Sequence, residues 1–280
     1  STIGLCANLA AGNLEGHKGW GRVGGTVRNA LLAVALAKRG VRSGDTVLEG
    51  QAGFYYAYVG NNEGRLSYAY TGEKSTRLDQ ITAGLGERWN MLATVYRIYS
   101  TAGFNIAHVD VTAGICEDHD IKPHQVTRIE AVVNWLETLH PSPAFATPGS
   151  HLHARVGSAH YYCAYGVVMR GFPLLAVAGE YHDPDAVIDL MHRVTIIPSE
   201  TQPVMAPTIT IHTKDGKKYT RASSGREFMW DFDEEARRIR GVIPGAPISA
   251  QQFEELIAAC SNLDRLAKAA WLIRLTVPGG

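Results

Sequence analysis

Lys18 stands beside His17, directly before the run Gly19-Trp20-Gly21-Arg22-Val23-Gly24. A lysine next to exposed helix N–H groups makes a site for a carboxylate or phosphate, whereas an isolated lysine is ordinarily a solvated surface charge. The glycine spacing is formally that of a dinucleotide loop. That reading requires a strand before it and an acid closing a second strand about 20 residues on. Here the following helix leads to SGDTVLEG instead, so the glycines read as a closely packed helix start. Arg97 lies in the apolar and aromatic stretch ATVYRIY. A guanidinium there suits the fork for a substrate carboxylate, and an internal ion pair, with Asp110 as partner, is the competing reading. Tyr162 and His108 are the local proton-transfer candidates, Tyr162 as donor and His108 as the poorer of the two. The tandem Tyr161-Tyr162 falls on a helix, where one ring is expected simply to pack.

Eleven histidines are the one compositional excess, yet only His151 and His153 lie close together, in the loop-like TPGSHLHAR. Carboxylate and cysteine partners at ligand spacing are missing, so no metal site is expected. Four cysteines, Cys6, Cys116, Cys163 and Cys260, are scattered without a CxxC pair. They read as small buried thiols of a reducing cytoplasm, which is the expected location.

Those residues need a frame. The 280 residues suit one or two domains, and 45% hydrophobic residues can bury a sizeable core. Basic and acidic residues balance at 27 each, which removes the electrostatic footprint of a nucleic-acid binder. No apolar run is long enough to span a membrane. Gly25 to Lys38 reads as an alanine-rich helix stopped by Gly40, and Ser43 and Asp45 are candidate starts of another. RIEAVVNWL alternates as a strand, and GSAHYYCAYGVVMRG reads as a helix ending at Gly171. Asp183 caps a helix with Pro184 at its first position, and Val194 to Ile197 form a strand. PTITIHTKDGKKYTRA is a hairpin turning at Asp215-Gly216. Ser249 and Gln252 make a capping box, and a last helix carries Leu263, Leu266, Ala270 and Ile273. The class is α+β: part of an all-helical domain built from both chain ends, with an inserted α+β lid. The expected boundaries are 1–93 and 246–280 for the helical part and 94–245 for the lid.

The segment NLEGHKGWGRVGGTVRNALLAVALAKRGVRSGDTVLEGQAGFYYAYVG, with Leu48-Glu49-Gly50 and Gly53-Phe54, resembles the MmgE/PrpD family. That family includes 2-methylcitrate dehydratase, cis-aconitate decarboxylase and iminodisuccinate epimerase. YRIYSTAGFNIAHVDV is similar to its lysine-x-tyrosine segment, with Tyr99 and Asp110 matching, and GSAHYYCAYGVVMRG to its tyrosine-bearing helix. TIHTKDGKKY and PGAPISAQQFEEL complete a resemblance that spans nearly the whole chain. It implies a helical domain with an α+β lid, an active site between them, homodimeric assembly, and cofactor-free chemistry on small di- and tricarboxylates. Lys18 and Tyr162 match the family's active-site lysine and tyrosine. The lysine of the lysine-x-tyrosine segment is Arg97 here, and its following histidines fall on Ala102 and Ile106, with His108 out of register.

Family members are longer, and the N-terminal part of their helical domain has no counterpart in this sequence. Half of a helical domain would leave a large apolar face exposed. The expectation is a subunit completed by a second polypeptide that supplies helices and the principal base, with the complete unit pairing into a higher oligomer; the competing reading is the C-terminal part of one longer chain. The expected chemistry is a lyase or isomerase reaction: proton abstraction next to a carboxylate, with Lys18 and Arg97 stabilising the negative charge and His17 assisting binding. The alternative is a non-catalytic subunit that stabilises an active partner.

Overall fold

The computed structural model describes residues 2–9, 21–50, 52–54, 83–99, 101–139, 153–173, 183–268 and 270–278. In chain order the first elements are α1 (Thr2–Leu9), α2 (Gly21–Lys38), α3 (Phe104–Asp118), β1 (Val126–Asn134) and α4 (Trp135–Leu139). Next come α5 (Ala159–Met169), α6 (Asp185–Met191), β2 (Val194–Ser199), β3 (Thr208–Thr213) and β4 (Lys218–Ala222). The chain ends with α7 (Phe232–Ile239), α8 (Ala250–Ser261) and α9 (Ala270–Leu275). The class is α+β. Two compact units form: residues 1–89, 132–153 and 197–204 make the first, and residues 90–131, 154–196 and 205–280 the second. The helices α8 and α9 lie in the second unit, with β3 and β4.

In the first unit α1 packs on α2, and Asn29 donates from Nδ2 to the Leu9 carbonyl at 2.7 Å. A glycine lets α1 also approach the segment that follows α2. A Cβ at Gly4 would lie 2.1 Å from Ser43 Oγ and 2.7 Å from Val47 Cγ1. Ala33 is buried, while Val27, Leu31, Leu32 and Val34 on the same helix are exposed. Gly40 stops α2 with φ 85° as its sequence position predicts. The helix start expected at Ser43 and Asp45 is instead a series of turns over 45–49. Gly50 closes onto Thr46 and Gly53 onto Gly50 through backbone bonds of 2.8 and 2.7 Å, and glycines so closely spaced do not propagate a helix.

In the second unit α3 and α5 pack face to face. Gly166 permits their contact, since a Cβ there would meet Thr112 Oγ1 at 2.1 Å and the Val109 carbonyl at 2.6 Å. The four strands lie in the order β2-β1-β3-β4, and β3 pairs antiparallel with β4 from Thr208↔Ala222 to His212↔Lys218. The hairpin turns at Asp215-Gly216 as expected, with Gly216 at φ 81°. Alternation in β1 buries Ile129, Ala131 and Val133, the period-two pattern visible in the sequence. The Ser249–Gln252 capping box opens α8 as read. At α6, however, Pro184 is the cap and Asp183 instead accepts a hydrogen bond from the Tyr161 hydroxyl at 2.6 Å. The expected last helix is interrupted: Leu263–Arg265 is a single 3-10 turn, and α9 begins only at Ala270. Among the described residues no helix is long and apolar enough to cross a membrane, and the four cysteines form no disulfide: Cys116 and Cys163 are buried as expected, whereas Cys6 is half-buried and Cys260 exposed.

Candidate functional site

The site grows from one end of α3. Just before this helix, Thr101 meets three of the residues singled out from the sequence. Its carbonyl accepts from Arg97 Nη1 at 2.7 Å. Its side chain hydrogen-bonds Tyr162 on α5 and accepts from Asn105 Nδ2 at 2.7 Å. Asn105 in turn lies 3.0 Å through Oδ1 from His108 Nδ1, one turn further along α3. Helical periodicity explains the line: positions 105, 108 and 112 share one stripe, and that stripe faces α5. Thr112, the last of them, hydrogen-bonds back to the His108 and Val109 carbonyls at 2.7 and 3.0 Å.

Burial sets the protonation states. His108 is completely buried, and burial, reinforced by the neighbouring His160, lowers its pKa to about 3. It is a neutral imidazole at physiological pH. With Asn105 Oδ1 as acceptor, Nδ1 carries the proton and Nε2 the lone pair. Tyr162 is buried too. Burial raises its pKa, the Thr101 hydrogen bond opposes the rise, and the Asp183 charge adds to it. Its phenol therefore stays protonated and available as a donor. Tyr161 packs edge-on against Tyr162, with ring centroids 5.1 Å apart, as one tyrosine of the tandem was expected to do.

Arg97 is exposed, and among the described residues no carboxylate lies within ion-pair distance of it. Its proposed internal partner is taken: Asp110 is bound by Arg238 Nη1 at 2.8 Å. Burial nevertheless raises the Asp110 pKa, with Arg238 pulling against the rise. Ala102 is half-buried and Ile106 is wholly buried in an apolar cluster with Ala107 and Phe228. Lys18 and His17 lie outside the described residues, as do His151 and the first two glycine-loop positions, Gly19 and Trp20. Gly21 to Gly24 open α2.

Thus Arg97, Tyr162 and His108 converge, through two residues that sequence reading passed over, Thr101 and Asn105. Their i, i+4 spacing just before and inside a helix was the available signal. His160, next to the tyrosine pair, also escaped notice, and it lies buried 3.4 Å from the Ser158 hydroxyl at the α5 cap.

The opposite stripe of α3 borders a cavity of about 650 Å³ in the same unit. Asp110, Gly114 and Glu117 line it, together with Arg170, Arg221, Arg237 and Arg238 and the rings of Tyr99 and Phe172. Those rings stack at 3.7 Å with an 8° interplanar angle. Arg238 lies over the Trp230 ring at 4.2 Å and also binds Glu234 at 2.6 Å. Burial and the Asp110 charge raise the Tyr99 pKa. Glu227 is held at about 2: burial raises it, but hydrogen bonds from Ser223 and Ser224 prevail. Among the described residues no group of three or more His, Cys, Asp and Glu side chains is placed to hold a metal ion. No protein-family model matches this chain, and no curated protein matches it significantly.

Proposed function

We propose that this chain is a subunit or C-terminal part of a cofactor-independent lyase or isomerase of MmgE/PrpD type. It acts on a small polycarboxylate by proton abstraction next to a carboxylate, in the cytoplasm. One observation carries the reading: an exposed guanidinium with no acid on it among the described residues, and a buried protonated tyrosine, meet at Thr101. Arg97 offers a planar fork for a substrate carboxylate. Tyr162 offers a proton to the carbanion or to the leaving oxygen. On the resemblance alone, Lys18 and His17, which lie outside the described residues, are proposed to stabilise the charge that develops as the C–H proton leaves and to assist binding. His108, with a pKa of about 3, is too weak a base for this step at neutral pH; it serves the site by orienting Asn105. The principal base comes from a second polypeptide that completes the helical part, and the exposed Val27, Leu31, Leu32 and Val34 of α2 support such a partner. The complete unit pairs into a higher oligomer.

Proton abstraction is tested by proton NMR in D2O. The completed assembly is incubated with 2-methylcitrate, cis-aconitate or iminodisuccinate, and deuterium is sought at the carbon next to a carboxylate. Exchange or turnover with one of them supports the reading, and neither with any of the three overturns it.

A second reading, a non-catalytic subunit that stabilises an active partner, is favoured by Ile106, whose side chain is core where the resemblance expects a histidine. Lys18→Ala and Tyr162→Phe separate the two. Unchanged turnover of the assembly in both variants makes this chain a scaffold.

A further inference from the structure

We infer that the cavity beside α3 is a binding site for a small organic anion: one acidic group held by Arg170, and a flat apolar body against the Tyr99–Phe172 stack. Asp110, Gly114 and Glu117 on this wall and Asn105 and His108 facing α5 lie on opposite stripes of one helix, so the site is separate from the one proposed above and independent of that reading. Its charges are not interchangeable. Arg237 is occupied by Glu234, Arg238 by Glu234 and Asp110, and Arg221 by Asp118. Among the described residues Arg170 has no carboxylate within ion-pair distance. It holds only the Ile121 and Gly166 carbonyls, at 2.6 and 3.4 Å, and the Cys116 thiol. Those bonds fix its guanidinium plane while its Nη atoms keep further N–H groups to donate.

The backbone at Arg170 points the same way. It caps α5 in the left-handed region, at φ 59° and ψ 22°, where glycine fits without strain and the next residue is Gly171. A glycine would fit this backbone better, so what an arginine adds here is its side chain. The lining carboxylates do not compete for the ligand's role. Asp110 is bonded to Arg238, Glu227 to Ser223 and Ser224, and Glu117 is exposed, where solvent screens it. The stacked rings supply an apolar wall about one aromatic ring wide, and about 650 Å³ lies within the range of small-molecule sites.

The test is calorimetric titration of the full chain with phenyl phosphate and with benzoate, against inorganic phosphate and benzyl alcohol. Phenyl phosphate binding alone, benzoate binding alone, or both binding supports the site and tells which acid it takes, provided the controls bind at least about tenfold more weakly. Arg170→Gly removes the fork and relieves the backbone, and it should weaken binding by about tenfold or more. Phe172→Leu leaves the helix cap untouched and should weaken the aryl anions while leaving inorganic phosphate unchanged. If Arg170→Gly does not fold, Phe172→Leu decides alone. Failure of both aryl anions to bind overturns the proposal. So does wild-type affinity in the variants that fold, or inorganic phosphate binding as tightly as phenyl phosphate. None of these results depends on turnover.

Discussion

His108 and Arg97 stand at two extremes of exposure, and each predicts a measurement. Burial lowers the His108 pKa from 6.5 to about 3. The unfolded chain therefore binds a proton that the folded chain refuses throughout that window. Stability contributed by neutral His108 is complete above pH 6.5 and is lost as pH falls from 6.5 towards 3, by up to about 1.4 kcal/mol per unit. Urea unfolding at pH 7 and pH 5 should show this slope, and His108→Gln should flatten it. A wild-type histidine resonance assigned to His108 that titrates near pH 6.5 would contradict the burial. Arg97 is exposed and makes a single described hydrogen bond, to a backbone carbonyl. Arg97→Ala should leave the folding free energy within about 0.5–1 kcal/mol of wild type. On the proposed function, Arg97→Lys weakens substrate binding by about 1–3 kcal/mol, read as KM in the assembled enzyme. Arg97→Ala costs more and is not rescued by changing pH, because a guanidinium does not titrate in the working range. A lowered Tm with unchanged KM would remove Arg97 from the site.

At the scale of elements, the contact of α3 with α5 positions the candidate site, and its tightest point is Gly166. A methyl group there would sit 2.1 Å from Thr112 Oγ1 and 2.6 Å from the Val109 carbonyl. Neither backbone nor a buried β-branched side chain can yield that distance cheaply. Gly166→Ala should destabilise the protein by about 1–3 kcal/mol and disturb Tyr162, one turn earlier on α5; denaturant unfolding with near-ultraviolet circular dichroism checks both. The cap of α8 gives a milder case. Ser249 accepts from the Gln252 N–H at 3.1 Å, with the Gln252 side chain reaching back to the Ser249 N–H at 3.4 Å. Ser249→Ala should cost about 1 kcal/mol, and Ser249→Asp should retain most of the stability.

For the molecule as a whole, apolar exposure is the feature with consequences. Val27, Leu31, Leu32 and Val34 are 53%, 66%, 44% and 40% exposed on the one helix α2. Val27, Leu31 and Val34 share one stripe at i, i+4 and i+7, with Leu32 on another side of the helix, and an exposed apolar stripe marks a contact surface. On the partner reading, the chain purified alone binds an apolar dye and self-associates at micromolar concentration, and Leu31→Glu reduces both. Sedimentation showing a single monomer that ignores the dye would count against a missing partner.

Local order was legible in the sequence wherever a short-range rule decides it. The β1 alternation, the Asp215-Gly216 hairpin, the Ser249 capping box and the α2 stop at Gly40 each follow from neighbours in the chain. So does the α+β class, which is the sum of such elements. The rules failed where backbone contacts a few residues away compete with a cap, as in the turns over 45–49, or where the chain re-enters a helix, as at 263–270. The sequence also identified Arg97, His108 and Tyr162 as chemically unusual, because residue type and context suffice for that. It could not join them. Thr101 and Asn105 matter only because α3 and α5 pack together, and that packing turns on Gly166, more than 50 residues from either along the chain. Protonation states followed the same division. His108 becomes a neutral imidazole and Asp110 the partner of Arg238 rather than Arg97, because burial and long-range pairing exist only once distant segments meet.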